Sequence, residues 1–303
     1  MNSGLIFNVI FFGAIICLAI IFYRLSVKNV WFNHKRLSVI GKFFYNYYYS
    51  IEKINHLRTN NFGYAPVDHE VSGYEPDLQY GIQLYKETVT NHNGYLINEN
   101  CIIVEIGCGK GAGSEFLIKK FKPKKYIGVD YSKVAIDFCK NLYSAFENAE
   151  FICGDAHMLP LTTASADVVV NIESSHIYKD LTQFLSEVNR VLKAHGKFLF
   201  TDYRYIKYFS IDSIEREIDN AGFSIIEKKI ITPQIYKACI LASERRAEIV
   251  EEASPWYLKK FFYHYAILKG TKKFIKLGNG EIIYFLYHLA KKGNEKIELL
   301  ENR

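Results

Sequence analysis

The chain has 303 residues, 49% hydrophobic and 23% charged, with a net charge of +6. That balance belongs to a folded protein with room for one large α/β domain, and it excludes a disordered chain or a small disulfide-stapled scaffold. The basic residues are scattered with no nucleic-acid motif to organise them, and the six cysteines show neither zinc spacing nor a paired framework. Nucleic acid and metal are therefore not expected partners, and a reducing compartment is the expected setting.

Residues 4–23 read GLIFNVIFFGAIICLAIIFY, with Asn8 the one strongly polar side chain. About twenty apolar residues match the hydrocarbon core of a bilayer. A cleaved signal peptide needs a basic start and a small-residue cleavage site, whereas this chain begins Met-Asn-Ser and leaves the run at Tyr23-Arg24-Leu25. The expectation is a transmembrane anchor over 1–24, with a cleaved signal or a buried helix as alternatives. Arg24, Lys28, Lys35, Arg36 and Lys42 follow with no acid before Glu52, which puts the rest of a single-pass protein on the cytosolic side. Residues 36–50 crowd six aromatics beside Lys42, suiting either a helix in the membrane interface or packing on the domain. Segment 25–90 then reads as a juxtamembrane and helical region, with a helix over 77–90 capped by Asp77.

From residue 91 to 303 the pattern is that of one α/β domain. Short β-branched runs at 101–106, 126–130, 150–153, 167–172 and 197–201 alternate with helical patterns at 113–120, 133–145 and 181–193. Such alternation makes a parallel sheet with helices on both faces. Two further strands, 224–231 and 281–290, flank a helical insertion over about 234–271. Ligands of these sheets bind beyond the carboxyl ends of the strands, so the residues just after each strand are the candidates for chemistry.

Val104-Glu105-Ile106 runs into a turn with Gly107, Gly109, Gly111 and Gly113, which lets a ligand approach the backbone and the following helix N-terminus. The spacing alone also satisfies a loose dinucleotide fingerprint. Glu105 separates the two, because a carboxylate there would repel a pyrophosphate and attract the ammonium of a methionine moiety. Asp130 ends the second strand where an acid accepts ribose hydroxyls, with Tyr131 placed to cover an adenine face. Asp155 and Ala156 follow the third strand, where a carboxylate and an N–H meet the edge of the adenine.

With these motifs in order, the chain resembles the class I S-adenosylmethionine-dependent methyltransferases over about residues 77–201. The resemblance implies a Rossmann-like seven-stranded sheet whose last strand is antiparallel. It also implies S-adenosyl-L-methionine as cofactor, with Glu105 and the glycines at the methionine part, Asp130 at the ribose, and Asp155 with Ala156 at the adenine. Asn171, after the fourth strand, is the expected place where backbone meets the methionine amine.

The segment Asn171 to Asp180, with Phe184-Leu185 and Val191-Leu192 after it, is similar to that of natural-product and lipid O-methyltransferases, including phthiotriolone-type lipid methyltransferases. The resemblance extends to Asn61-Phe62-Gly63-Tyr64 before the core and Ala242-Ser243-Glu244-Arg245-Arg246 after it. In those enzymes a glutamate and a histidine of this loop, with an acid after the fifth strand, lie near the acceptor; here these are Glu173, His176 and Asp202. A histidine titrates close enough to neutrality to take a proton from a hydroxyl, although it can equally cap or pack a loop. One departure is that Ile177-Tyr178-Lys179-Asp180 lacks the proline expected before the aspartate, which leaves the loop's shape open. The aromatic insertion, with Tyr236, Trp256, Tyr257, Phe261, Phe262 and Tyr263, reads as an acceptor lid or as ordinary core. An anchor and an aromatic lid favour a hydrophobic small-molecule hydroxyl as acceptor. The competing assignments are N- or C-methylation of a head group, quinone or sterol, a cofactor-binding module without catalysis, and a nicotinamide dehydrogenase.

Overall fold

A computed structural model describes residues 58–254, 256 and 258–293. The expected anchor at 1–24 and the aromatic-basic stretch at 36–50 lie outside them. Among the described residues no helix is long and apolar enough to cross a membrane.

Helix α1 (Pro76–Thr88) leads into a short hairpin, β1 (Thr90–Asn91) with β2 (Gly94–Tyr95). Pro76 opens α1, where its missing N–H costs nothing, and Asp77 sits in the first turn rather than at the cap. Its carboxylate instead takes Arg245 at 2.8 and 3.0 Å. The Rossmann-like alternation follows as β3 (Ile102–Ile106), α2 (Ala112–Phe121), β4 (Lys125–Asp130), α3 (Lys133–Leu142), β5 (Ala149–Cys153), β6 (Ala166–Ile172), α4 (Leu181–Val191) and β7 (Leu192–Tyr205). Then come α5 (Ile211–Asn220), β8 (Phe223–Ile230), α6 (Thr232–Ala253), α7 (Lys259–Tyr265), α8 (Lys272–Gly278) and β9 (Ile282–Lys291).

The seven-stranded sheet has the order β5-β4-β3-β6-β7-β9-β8. Strands β3 to β7 are parallel, and β9 runs antiparallel between β7 and β8. Strand order reverses at β3, between β4 and β6, so the crevice for a ligand opens beyond the ends of those strands.

Period-two alternation divides the core between the two faces. Ile103, Tyr126, Val170 and Leu286 pack with α1, α2 and α3, while Val104, Val129, Val169 and Phe285 pack with α4 and α5. Helix α4 shows why a local pattern suffices: Phe184, Leu185, Val188 and Val191 share one buried face, and Asp180 caps it by accepting from the Gln183 N–H at 2.9 Å. That cap also fixes the loop that lacks a proline. Two elements differ from expectation. Helix α5 is additional, announced only by its Ser210 cap and by Ile211, Ile214 and Ile218 at helical spacing. Strand β7 runs on to Tyr205 because β9 pairs with it throughout 197–205, so Asp202 lies within a strand rather than after one.

Candidate active site

The turn between β3 and α2 has the backbone its glycines predict. Gly107, Gly109 and Gly111 have φ of 80, 53 and 78°, and Gly111 caps α2 in the left-handed region that side chains disfavour. Asp130 ties this turn to the end of β4, accepting from the Gly109 N–H at 2.9 Å through Oδ2 and from the Ser132 N–H at 2.8 Å through Oδ1. The Tyr143 hydroxyl donates to the Gly111 carbonyl at 2.7 Å, closing the turn from α3's side. Gly113 belongs to the first turn of α2 instead, pressed against the Tyr85 ring of α1.

Glu105 is in a different place from the one expected. Alternation puts it on the α1 and α2 face, 1% exposed, where Oε1 accepts from Tyr85 at 2.6 Å and Oε2 from Ser114 at 3.0 Å and from the Tyr126 hydroxyl. Burial pushes its carboxyl up, and the three hydroxyls oppose that. With both oxygens engaged by hydroxyls, Glu105 braces the turn from below.

Asn171, the next-to-last residue of β6, is fully buried. Its amide donates to the Ile106 carbonyl at 2.9 Å and to the Ser174 hydroxyl at 2.7 Å, while Oδ1 has no hydrogen-bond partner. After β5, Asp155 holds His157 through Oδ1, by its N–H at 2.9 Å and its Nδ1 at 2.7 Å. Ala156 beside it is buried, and Tyr131 after β4 is 46% exposed. The structure thus gathers the glycines, Asp130, Tyr131, Asp155, Ala156 and Asn171 at the carboxyl ends of four adjacent strands.

Beyond β6 a short 3₁₀ turn, Ser175–Ile177, presents His176 to Asp202. The Asp202 carboxylate, 0% exposed, accepts from the His176 N–H at 2.9 Å, from Nδ1 at 2.8 Å, from the Ser175 hydroxyl at 2.6 Å and from the Tyr203 N–H at 2.8 Å. Arg204 adds its guanidinium at 3.3 Å. Burial works against the charged carboxylate, but His176, Arg204 and these hydrogen bonds outweigh it and hold the acid well below its ordinary range. An ionised carboxylate only accepts, so Nδ1 carries the proton and a neutral ring presents Nε2 as its basic nitrogen. Burial also lowers the His176 pKa, against the opposing pull of Asp202.

Glu173 stands between these groups at φ +47°, a conformation that side chains rarely adopt. Like Lys122, Ala164 and Ile267, which share its positive φ, Glu173 is fixed by its surroundings: its own N–H donates to the Thr201 carbonyl at 2.9 Å, and the Phe62 N–H donates to its Oε1 at 2.7 Å. Burial pushes its pKa up to about 8, with Asp202 adding and Lys273 opposing. Sequence reasoning missed Lys273 and marked Phe62 only as part of the Asn61-Phe62-Gly63-Tyr64 resemblance, without a role. Phe62 arrives from the segment before α1, and Lys273 from α8, just past the expected insertion; Lys273 donates to the Tyr203 hydroxyl at 3.0 Å. The expected aromatic lid contributes less. Phe262 packs with Val250 and Leu258 in a satellite core, Tyr236 stacks on Phe274, Trp256 is 83% exposed, and Tyr257 lies outside the described residues.

Residues 104–200 match the profile of a family described as a methyltransferase domain. Among solved structures, geranyl diphosphate C-methyltransferase from Streptomyces coelicolor, crystallised with Mg2+, geranyl diphosphate and S-adenosyl-L-homocysteine, superposes with a TM-score of 0.59. It shares 16% identity, over 82% of this chain and 97% of that one. A phthiotriol/phenolphthiotriol dimycocerosates methyltransferase of Mycobacterium leprae is 30% identical over 217 residues, 72% of this chain and 77% of that protein. A fatty-acid O-methyltransferase of Mycolicibacterium smegmatis is 30% identical over 234 residues, 76% of this chain and 82% of that protein. The chain is an S-adenosylmethionine-dependent methyltransferase.

The fold places this methyltransferase's two sets of polar groups side by side. The turns that follow β3, β4 and β5 carry one set, and the His176–Asp202 pair joins β6 to β7. Asn171 and Ser174 lie at their junction, since Ser174 bonds both Asn171 and the Tyr178 hydroxyl, the latter at 2.9 Å.

Proposed function

We propose that this methyltransferase transfers a methyl group to an oxygen of a hydrophobic small molecule, a hydroxyl on a lipid, polyketide or isoprenoid, with His176 as general base. The observation that carries this reading is the double grip of Asp202 on His176, at backbone and Nδ1, which leaves Nε2 as the base. The names of the mycobacterial relatives, which specify fatty-acid and phthiotriol-type compounds, support an apolar acceptor.

The residues present fit S-adenosyl-L-methionine. Asn171 Oδ1 is a buried acceptor with no hydrogen-bond partner, a state costing roughly 1–3 kcal/mol that an ammonium would relieve. The glycine turn and Asn171 would hold the methionine part, Asp130 the ribose, Asp155 Oδ2 with the Ala156 N–H the adenine, and Tyr131 one face of the ring. When bound, the cofactor supplies an electrophilic methyl on a positively charged sulfur. This chain's residues align the acceptor oxygen, accept its proton at His176 Nε2 and stabilise the resulting imidazolium through Asp202.

Incubation with methyl-labelled cofactor and total lipid extract is expected to place label in an apolar product. His176→Ala is expected to lower turnover about 10²- to 10⁴-fold with cofactor affinity unchanged. Because burial depresses the His176 pKa, the basic form persists below the ordinary histidine range, and activity is lost as pH falls through that depressed value. Label confined to protein or nucleic acid overturns the reading, and full turnover in His176→Ala points to an acceptor that needs no base, a nitrogen, a carbon or an already ionised carboxylate.

The reading also assigns residues 4–23 to a single-pass anchor that keeps the catalytic domain at a membrane's cytosolic face. It rests on their apolar sequence and the basic residues that follow. Deleting 1–24 is expected to move the protein from a carbonate-washed membrane pellet to the supernatant, and retention in the pellet counts against the anchor.

A further inference from the structure

Lys273 has surroundings unlike those of the surface lysines. Its ammonium lies 4.5 Å from the Phe62 ring centroid and 4.7 Å from that of Tyr203, and it donates to the Tyr203 hydroxyl. It forms no ion pair with any carboxylate of the described residues, whereas Lys86, Lys193 and Lys228 each do. The His176 ring packs on the same Tyr203 at 4.3 Å, and Phe62 stacks on it at 5.0 Å. His176 and Lys273 thus flank one aromatic ring.

Aromatic faces compensate a desolvated cation only in part, and an anion does so far better. The proton inventory points the same way. An aliphatic alcohol, about as weak an acid as water near 15.7, keeps its proton until transfer and brings no charge for an ammonium to meet. A phenol near ~10, or a carboxylic acid near ~4, is within reach once a cation stands beside its oxygen. Burial lowers the Lys273 pKa to about 8, while Glu173, Cys239 and Asp202 oppose the shift, so the cation persists at neutral pH.

We propose that Lys273 reads the charge of the acceptor: its ammonium binds an oxygen that is anionic at transfer, a carboxylate or phenolate on an apolar body, in preference to the corresponding aliphatic alcohol. The proposal rests on the O-methylation reading above. The acceptor oxygen forms its bond to the methyl carbon with its own electron pair as the carbon–sulfur bond breaks and leaves its pair on sulfur. The negative charge of the oxygen and the positive charge of the sulfonium disappear together. A phenol's proton goes to His176 Nε2, a carboxylic acid has already lost its proton to water, and Lys273 keeps its own.

The test compares a long-chain fatty acid, a p-alkylphenol and a fatty alcohol of matched length with wild type, Lys273→Met and Lys273→Arg. Wild type is expected to favour the acid and the phenol over the alcohol by about 100-fold in kcat/KM. In Lys273→Met that ratio should collapse toward one, chiefly through KM, and Lys273→Arg should restore most of it. Independently, dodecanoate titrated calorimetrically into cofactor-free protein is expected to bind about 30-fold more weakly to Lys273→Met, with circular dichroism verifying the fold. Equal use of the three acceptors, or unchanged dodecanoate affinity in Lys273→Met, overturns the proposal. If no acceptor is methylated, the O-methylation reading fails, and the calorimetry still decides the role of Lys273.

Discussion

Asp202→Asn is expected to lower turnover about 10³-fold while leaving cofactor affinity within a few-fold of wild type. The carboxylate accepts from Nδ1 and thereby fixes the tautomer with Nε2 unprotonated. An asparagine amide turned toward the ring donates instead, so the proton moves to Nε2 and the base is lost without any change of shape. Turned the other way it keeps the tautomer, but presents its amide nitrogen to the Ser175 hydroxyl and the His176 N–H, both of which need an acceptor. Either arrangement leaves Arg204, 6% exposed, without its carboxylate. Breaking a buried pair from one side typically costs about 3–5 kcal/mol, so a lower Tm should accompany the kinetic loss. Turnover under saturating cofactor, ¹⁵N histidine shifts for the tautomer and thermal unfolding together separate the two effects. Turnover within about threefold of wild type would remove Asp202 from the mechanism.

Gly107→Ala is expected to weaken binding of S-adenosyl-L-homocysteine by about 100-fold, equivalent to about 2.7 kcal/mol. The φ of +80° costs an alanine roughly 1–2 kcal/mol before any contact is made. Its Cβ would lie 2.5 Å from the Ser174 Oγ and 2.7 Å from the Ser174 Cβ, so Ser174 must move. Ser174 receives the Asn171 amide, and moving it disturbs the residue whose Oδ1 is assigned to the methionine ammonium. Gly73→Ala is the control, since a Cβ there meets nothing within 4 Å. Calorimetric titration of both variants decides the matter, and equal affinities would show that the turn does not hold the cofactor.

Where sequence and structure agree, the agreement follows from short-range physics. The β3–α2 glycine turn and the alternating strands are each specified by residues a few positions apart, because backbone dihedrals and local hydrogen bonds depend on near neighbours. The acids and amides at the strand ends were legible for the same reason. The resemblance to a known family then extended that local pattern to a cofactor and to His176.

Glu105 shows where local reasoning stops. Its position at the end of a strand was evident, but which sheet face it took depended on α1 delivering Tyr85 from 20 residues away. Lys273 carried no motif at all, and Phe62 only a place in a stretch of family resemblance with no role attached to it. They meet at Tyr203 and Glu173 because β9 inserts beside β7, α8 precedes it, and the segment before α1 lies across Glu173, 111 residues away in sequence. By itself the sequence determined the sheet, the cofactor turn and the histidine-bearing loop. Only the tertiary structure decided that Asp202 fixes His176's tautomer from within a strand 26 residues on, that Glu105 is a brace, and that a lysine without a carboxylate partner shares Tyr203 with the base. The physical reason is that burial and charge pairing are set by which elements become neighbours across the sheet, and strand order, not spacing along the chain, makes them so.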